Sequence, residues 1–276
     1  MQTLLDLLVA LLPLLYGLAA VNYSVYFARH DPFAERTCTP FLVGTVLVHL
    51  AFLVLRYVAF GRYPIATVPE VLSVIAFAVA AVYLYVERVQ HSKATGVFLV
   101  VMAAALQLAA TTLLARAPAP QSALLDKASL WWVHTALAVL GYSAFAVGAV
   151  YGVMFLLLYR ALKRKRFGLV FERLPSLDVL ASMGMGAAAL GWAFLTVAIV
   201  LGIVMSASLV PTFWADPKVI SSAVVWLAYA ATVGGYFLLG WRGARSVVFS
   251  LVAFVIAVVT MVGSAMPWAS FHVFQS

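Results

Sequence analysis

The chain has 276 residues, of which 66% are hydrophobic and only 9% are charged, and its formal net charge is +8 at pH 7. A soluble domain carries about 25% charged residues, so this composition excludes an ordinary soluble protein and indicates a polytopic, all-α membrane protein. In such a chain the positive charge is better explained by membrane topology than by binding to nucleic acid.

Long apolar runs predict eight transmembrane helices in one membrane domain, residues 1–276. Asp6 lies near the start of the first run and no basic segment precedes it, so we expect no cleaved signal peptide. A short polar loop, 29–39, precedes a second span that ends at Gly61-Arg62-Tyr63-Pro64, because Gly and Pro break helices. The fifth run is longer than the ~20 residues a bilayer needs, so it must tilt or protrude. The predicted spans are about 3–28, 40–60, 69–87, 96–115, 130–162, 177–208, 219–240 and 246–267.

Basic residues are distributed unequally between the two sets of loops. Twelve lie in one set and four in the other, and the richer set is predicted to be cytoplasmic because Lys and Arg are enriched in cytoplasmic loops. An even number of spans places both termini on the same side, here the outer side. The richer set is Arg29, Arg36, Arg88, Lys93, Arg160, Lys163, Arg164, Lys165, Arg166, Arg173, Arg242 and Arg245, and the poorer set is Arg62, Arg116, Lys127 and Lys218.

Two histidines flank membrane spans on the predicted outer side. Trp131-Trp132-Val133-His134 opens the fifth span, and His272 follows the eighth. Imidazoles from two separate helices can supply both axial ligands of a haem iron, over an aromatic floor that includes Trp132 and Trp214. The chain has no Cys-x-x-Cys-His motif, so we expect non-covalent haem b. The alternative is an interfacial aromatic belt with an incidental histidine.

Other polar residues allow competing interpretations. Asp216 is expected either to orient a histidine through its second ring nitrogen or to be a plain turn residue before Pro217. His30 and His91 fall in predicted cytoplasmic loops and are expected to be solvated. The basic end of the fifth span, Lys163-Arg164-Lys165-Arg166, is expected to contact anionic membrane lipid, with a cytoplasmic protein as the alternative.

His49 lies near the middle of the second span, where an ionisable side chain is costly and marks a functional hypothesis. Arg56 is seven residues further along the same helix face, and Glu70 opens the third span on the same side. One interpretation is a ligand path, with His49 as an alternative iron ligand and Arg56 facing an anionic group such as a haem propionate. The other is structural: Arg56 pairs with Glu70, and His49 bonds to a neighbouring helix. In both cases we predict that His49 faces the bundle interior and that Arg56 and Glu70 approach each other.

These residues occur in an order that resembles the CcsA/HemX-type cytochrome c assembly proteins. The run from His49 through Arg56, Gly61-Arg-Tyr-Pro64 and Glu70 looks like the early helices of that family. Further matching segments cover most of the chain from about residue 40, and two outer histidines match His134 and His272. Ala215 separates Trp214 from Asp216, and Arg62 replaces the usual turn histidine, which favours the short HemX-like members. The further segments are Leu174-Pro175-Ser176-Leu177-Asp178, Trp214-Ala-Asp-Pro-Lys218, Val225-Trp226-Leu-Ala-Tyr229 and Gly240-Trp241-Arg242-Gly243.

The resemblance implies haem transport or presentation to the outer face during cytochrome c biogenesis. It also implies a CcsB/ResB-like membrane partner with a large outer domain, and apocytochrome c as a further partner. No phosphate loop, pair of catalytic carboxylates or nucleophile with a base is recognisable in the sequence, so catalysis by this chain is not predicted. Two alternatives stay open: a non-catalytic scaffold or regulatory subunit of a haem-biosynthetic or respiratory complex, and a transporter of another small molecule.

Overall fold

Helices account for all the regular structure in the residues that the computed structural model describes, which are 2–65, 67–114, 129–165, 167–206 and 213–264. Eight of them are long and apolar enough to cross a membrane, which confirms the predicted number of spans. The side of the membrane that the termini face stays a prediction. In chain order the helices are α1 (Gln2–Arg29), α2 (Pro32–Phe60), α3 (Val68–Gln90), α4 (Gly96–Leu114), α5 (Ser129–Lys163), α6 (Leu169–Arg173), α7 (Leu177–Ser206), a 3-10 turn (Phe213–Ala215), α8 (Pro217–Phe237) and α9 (Ala244–Ser264).

Helix α2 begins earlier than the start predicted from the sequence for the second span. The expected polar loop over 29–39 is wrong, because the helix starts at Pro32 and continues through Pro40. Asp31 caps it, since its carboxylate accepts hydrogen bonds from the backbone N–H groups of Phe33 and Ala34 at 3.0 and 2.9 Å. Proline is favoured at the first helical position because its missing N–H has no partner there in any case. These start signals outweigh the polar composition of the segment.

The turn after α2 matches its prediction. Gly61 adopts a left-handed conformation with φ +64°, and its N–H donates to the carbonyl of Tyr57, which ends the helix. Thr67 then caps α3 in a capping box: its hydroxyl accepts from the Glu70 N–H, while the Glu70 carboxylate accepts from the Thr67 N–H. The Glu70 carboxylate is therefore held at the first turn of α3 by the backbone N–H of Thr67.

Helix α5 is longer than a bilayer crossing requires. Its 35 residues extend about 52 Å at about 1.5 Å per residue, against a hydrocarbon thickness of about 30 Å. The predicted excess length of the fifth span is thereby confirmed. His134 lies in the second turn of this helix, and Arg160 and Lys163 lie in its last turn.

The first four helices form one compact unit. Each packs against its sequence neighbour, and α4 closes against α1, which gives an up-and-down four-helix bundle. Tyr16, Tyr23 and Tyr83 are completely buried in it, so the interior contains hydroxyl groups as well as aliphatic side chains. Many other leucine and valine side chains, such as Leu14 at 63% exposure, point outwards, as suits a bundle whose solvent is lipid.

The remaining helices form a second compact unit. Helix α7 packs along α5, α8 packs on α7 and α9, and α9 returns to α5, while the short α6 lies on α5. Aromatic packing marks its core: the rings of Phe145 and Tyr229 stack with centroids 3.5 Å apart. The indole N–H of Trp226 donates to the Thr196 hydroxyl at 2.8 Å, so this buried polar group is satisfied.

Candidate functional site

His134 faces helix α7 from the beginning of α5. Its Nδ1 lies 2.7 Å from the backbone oxygen of Ala198. A carbonyl oxygen only accepts hydrogen bonds, so Nδ1 carries the hydrogen, and the Nε2 of the neutral ring keeps a lone pair. The indole ring of Trp131 lies beside the imidazole, with ring centroids 5.7 Å apart. The lone pair on Nε2 of His134 therefore fits a single iron ligand.

Glycines hold α5 and α7 close enough for this hydrogen bond. Gly141 faces Gly191, and Gly148 faces Gly184. On each helix the two glycines are seven residues apart. A methyl group placed on Gly191 would lie 2.8 Å from the Gly141 oxygen, and one on Gly148 would lie 3.0 Å from the Gly184 oxygen. Glycine is needed because the two backbones approach without room for side chains, as in other tightly packed membrane helix pairs.

His134 and Ala198 continue the same series in both helices. His134 precedes Gly141 by seven residues, and Ala198 follows Gly191 by seven, so the antiparallel register of the glycine pairs places the imidazole opposite the Ala198 carbonyl. Gly202 lies one turn further along α7, under the ring: a methyl group there would lie 2.9 Å from His134 Cε1. The tautomer and the orientation of His134 are thus products of helix packing.

The aromatic and acidic residues of the predicted outer site are only partly placed together. Trp132 is half-buried, and Trp214 is 64% exposed on the 3-10 turn before α8. Asp216 is buried and caps α8, because its carboxylate accepts from the Lys218 N–H at 2.8 Å. Asp216 is therefore a helix cap before Pro217, and the expected contact with a histidine stays a prediction. His272, with Trp268, Phe271 and Phe274, lies outside the described residues, so pairing of His134 with His272 stays a prediction.

In the first unit, His49 is completely buried, as predicted, and both its ring nitrogens are engaged. Nδ1 lies 3.0 Å from the Tyr16 hydroxyl, and Nε2 lies 3.0 Å from the Ser73 hydroxyl. Ser73 donates to the Gln107 amide oxygen at 2.9 Å, and the Gln107 amide nitrogen donates to Thr111 at 3.3 Å. This chain of hydrogen bonds visits all four helices of the bundle.

The direction of the chain is set by its last acceptor. Thr111 bonds the backbone oxygen of Val9 at 3.3 Å, and a carbonyl must accept, so the Thr111 hydroxyl donates. The direction of every other hydrogen bond in the chain is then fixed. Ser73 accepts from the Nε2–H of His49, and Nδ1 of His49 accepts from the Tyr16 hydroxyl. In this arrangement the His49 ring offers no lone pair to a metal. The structural interpretation of His49, a bond to a neighbouring helix, is the one observed.

Glu70 forms the centre of an ion cluster. Arg56 donates to one carboxylate oxygen at 2.6 Å, as predicted, and the Arg62 guanidinium bonds both oxygens at 2.9 Å each. The glutamate side chain is 2% exposed, and the two arginine side chains are 12% and 13% exposed. Two arginines on one carboxylate leave the cluster with a net charge of +1. The Nε of Arg56 is buried, and within the described part of the chain it has no hydrogen-bond partner.

A cavity lies between this cluster and the hydrogen-bond chain. It encloses about 280 Å³, counting the part that is open to its surroundings. Of this space, only about 10 Å³ is room for a buried group, which is enough for about one water molecule, so a porphyrin ring does not fit. The lining residues are Val9, Phe52, Leu53, Arg56, Pro64, Pro69, Glu70, Ser73, Gln107, Ala110 and Thr111.

His30 and His91 have a structural function instead. Both are exposed, as predicted, and both adopt left-handed backbone conformations directly after a helix, with φ +51° and +50°. Histidine is among the few residues enriched in this conformation, so it can end a helix where glycine is absent. Across the described ranges, no group of three or more His, Cys, Asp or Glu residues has the geometry of a metal site.

Several residues of these networks were not predicted from the sequence. Gln107 and Ser73 are polar residues inside apolar spans, which is the signal that would have identified them. Arg62 was treated as a departure from a motif, although its short sequence distance from Glu70 allows an ion pair. Gly141 and Gly148 repeat at the seven-residue spacing of a helix–helix seam, a second usable signal.

Known proteins are similar in sequence to most of this chain. Residues 65–268 match the family described as Cytochrome C assembly protein. Protein HemX of Brevibacillus brevis is 26% identical over 250 residues, which cover 90% of this chain and 92% of that protein. Protein HemX of Bacillus subtilis is 25% identical over 223 residues, covering 78% of this chain and 79% of the relative.

A second group of relatives bears a different name. Cytochrome c biogenesis protein CcsA of Microcystis aeruginosa is 23% identical over 299 aligned positions, covering 91% of this chain and 85% of that protein. No solved structure matches the chain significantly. The family match covers well over half of the sequence, and it includes α3 to α9, Glu70 and His134. The chain belongs to the cytochrome c assembly protein family.

Proposed function

We propose that this multi-pass membrane protein handles haem during cytochrome c biogenesis in the bacterial inner membrane. The family and the names of its relatives support a role in cytochrome c biogenesis. Haem transport, or haem presentation at the outer face, is the specific task that we assign to the chain. Haem b would be a non-covalent cargo. It would be the iron porphyrin that is later attached to apocytochrome c.

The hydrogen bond from His134 to Ala198 is the observation that carries this proposal. Histidines that ligate metals almost always donate their other ring N–H to a carboxylate, a backbone carbonyl or water, which sets the tautomer and the ring orientation. His134 makes such a bond to a backbone carbonyl at 2.7 Å. Its Nε2 is then the nitrogen that would bind the iron, and no side-chain rearrangement is needed to free a lone pair.

We further propose that His272 supplies the second axial ligand and that Trp132 and Trp214 contact the porphyrin. The exposure of Trp214, 64%, supports a surface that a flat apolar ligand would cover. Asp216 contributes by capping α8, and so it keeps the preceding turn in place.

For the first unit we favour a supporting role. His49, Arg56 and Glu70 use their polar groups on one another and on adjacent helices, and the cavity beside them is too small for a porphyrin. The Nε–H of Arg56 is the group that would still donate a hydrogen bond to a carboxylate oxygen of a ligand. The proposed partners, a CcsB/ResB-like membrane protein and apocytochrome c, would receive the haem, and the chain itself would catalyse no bond formation.

Absorbance spectroscopy of the purified full-length protein tests the proposal. We expect a Soret band with a low-spin bis-histidine spectrum, either as purified or after haem addition. His134→Ala and His272→Ala should each abolish or shift this spectrum, and added imidazole should partly restore it. His91→Ala is the matched control, because this exposed residue lies at the end of α3, far along the chain from α5.

Two results would contradict the proposal in different ways. A double His134→Ala/His272→Ala variant with an unchanged spectrum would exclude the outer ligand pair and require another ligand, with His49 next in line. A wild-type protein that binds no haem at all would favour the scaffold or regulatory function over haem handling.

A further inference from the structure

The end of α5 and the segment that follows it carry exposed basic and apolar side chains. Phe167 and Phe171 are 61% and 40% exposed, and their rings meet edge to face with centroids 5.0 Å apart. Helix α6 contacts α5, and Leu174, directly after α6, is buried, so the segment is anchored to the second unit while its rings stay uncovered. We call this region the basic-aromatic surface; it comprises Arg160, Lys163, Arg164, Lys165, Phe167, Phe171 and Arg173.

Arg173 has an unused hydrogen-bond donor. Its Nε is shielded from solvent, and no hydrogen-bond acceptor meets it in the described parts of the structure. A buried donor without a partner costs about 1–3 kcal/mol, so such a group indicates that an acceptor completes the site. The neighbouring Glu172 is exposed and forms no ion pair with Arg173 within the described residues.

We propose that the basic-aromatic surface binds the headgroup phosphate of an anionic phospholipid. Phosphate oxygens would accept from the Arg173 guanidinium, and the remaining basic side chains would add electrostatic attraction. Along the chain, five other basic residues precede this position, against the single acidic residue Glu172: Arg160, Lys163, Arg164, Lys165 and Arg166.

The exposed aromatic rings favour lipid over an acidic soluble protein as the occupant. Phe167 and Phe171 lie directly beyond the end of a membrane-spanning helix, where phenyl rings can contact acyl chains while adjacent lysines and arginines reach the headgroups. An acidic protein would match the charges, but it would not supply the acyl chains that lie beside rings at the end of a membrane span. The lipid therefore matches both the basic side chains and the exposed aromatic rings of this surface.

Lipid binding by the full-length protein in detergent tests this proposal. Retained lipids are counted by native mass spectrometry, and thermal unfolding is followed with added phosphatidylglycerol or with phosphatidylcholine of the same acyl chains. We expect phosphatidylglycerol to be retained and to raise the unfolding temperature, and phosphatidylcholine to do so much less. Arg173→Gln should lower the affinity for phosphatidylglycerol about fivefold, as expected for the loss of one basic residue near an anionic lipid surface.

The controls separate this site from general charge effects. Arg88→Gln removes an exposed arginine at the end of α3 and should leave lipid retention unchanged. The double variant Phe167→Ser/Phe171→Ser should reduce retention while the net charge stays constant. Equal effects of the two lipids on the wild type, or equal retention by Arg173→Gln and Arg88→Gln, would overturn the proposal. Inorganic phosphate that reproduced the full stabilisation would overturn the assignment to a lipid.

Discussion

Replacing Gly202 by alanine perturbs His134 without touching its side chain. The new methyl group would lie 2.9 Å from His134 Cε1 and 3.2 Å from Nδ1. Carbon atoms normally approach to about 3.5–4.0 Å, so the ring must retreat by about 0.6–1.1 Å. A shift of this size stretches the 2.7 Å bond to the Ala198 oxygen beyond the range of a good hydrogen bond.

The cost follows from these two effects. Overpacking costs about 1–3 kcal/mol, and loss of the hydrogen bond costs about 0.5–1.5 kcal/mol. Gly186→Ala is the matched control on the same helix, because nothing lies within 4 Å of a methyl group there. The ring either retreats and loses the bond or stays and is overpacked, and both variants gain about 1 kcal/mol of helix propensity. The free energy of unfolding should therefore be about 0.5–3 kcal/mol lower for Gly202→Ala than for Gly186→Ala.

Two measurements check this prediction. Thermal or denaturant unfolding in detergent should show Gly202→Ala destabilised relative to Gly186→Ala. Haem titration should show an affinity about 10–100-fold lower for Gly202→Ala, the usual effect of losing a group that orients a metal-binding histidine. If Gly202→Ala binds haem like the wild type while its stability falls, the Ala198 hydrogen bond does not prepare His134 for iron. If neither quantity changes, the helix packing described here is wrong.

Three further predictions follow from the first unit and from the charge distribution. His49→Ala should lower the free energy of unfolding by about 2–5 kcal/mol, because it leaves a cavity and removes the partner of the Tyr16 hydroxyl. The haem spectrum should not change. Loss of the spectrum with unchanged stability would contradict this prediction. Glu70→Gln keeps the capping box but leaves Arg56 without its counter-charge, so unfolding should become easier by up to about 3–5 kcal/mol, and a variant as stable as the wild type would show that the ion cluster is dispensable. Reporter fusions at Lys165 and at the C-terminus should report opposite sides of the membrane, and the same side for both would remove the topological basis for pairing His134 with a C-terminal histidine.

Local chemistry made much of the fold predictable. Eight apolar runs of sufficient length predict eight spanning helices, because a chain in lipid must satisfy its backbone hydrogen bonds internally. The Arg56–Glu70 contact was also predictable, since the residues lie on adjacent helices joined by one short turn. The start of α2 was not, because the polar composition of 29–39 obscured the cap provided by Asp31.

The tertiary structure decided which groups the key histidines meet. The direction of the His49 chain depends on the Val9 carbonyl, which is brought to Thr111 across 102 positions of sequence. The tautomer of His134 depends on Ala198, which lies 64 positions away and is aligned only by the antiparallel register of the glycine pairs. A sequence shows that a histidine lies in a membrane helix, but its hydrogen-bond partners come from other helices. Helix packing therefore determines whether its ring nitrogens hold the bundle together or keep a lone pair for a metal.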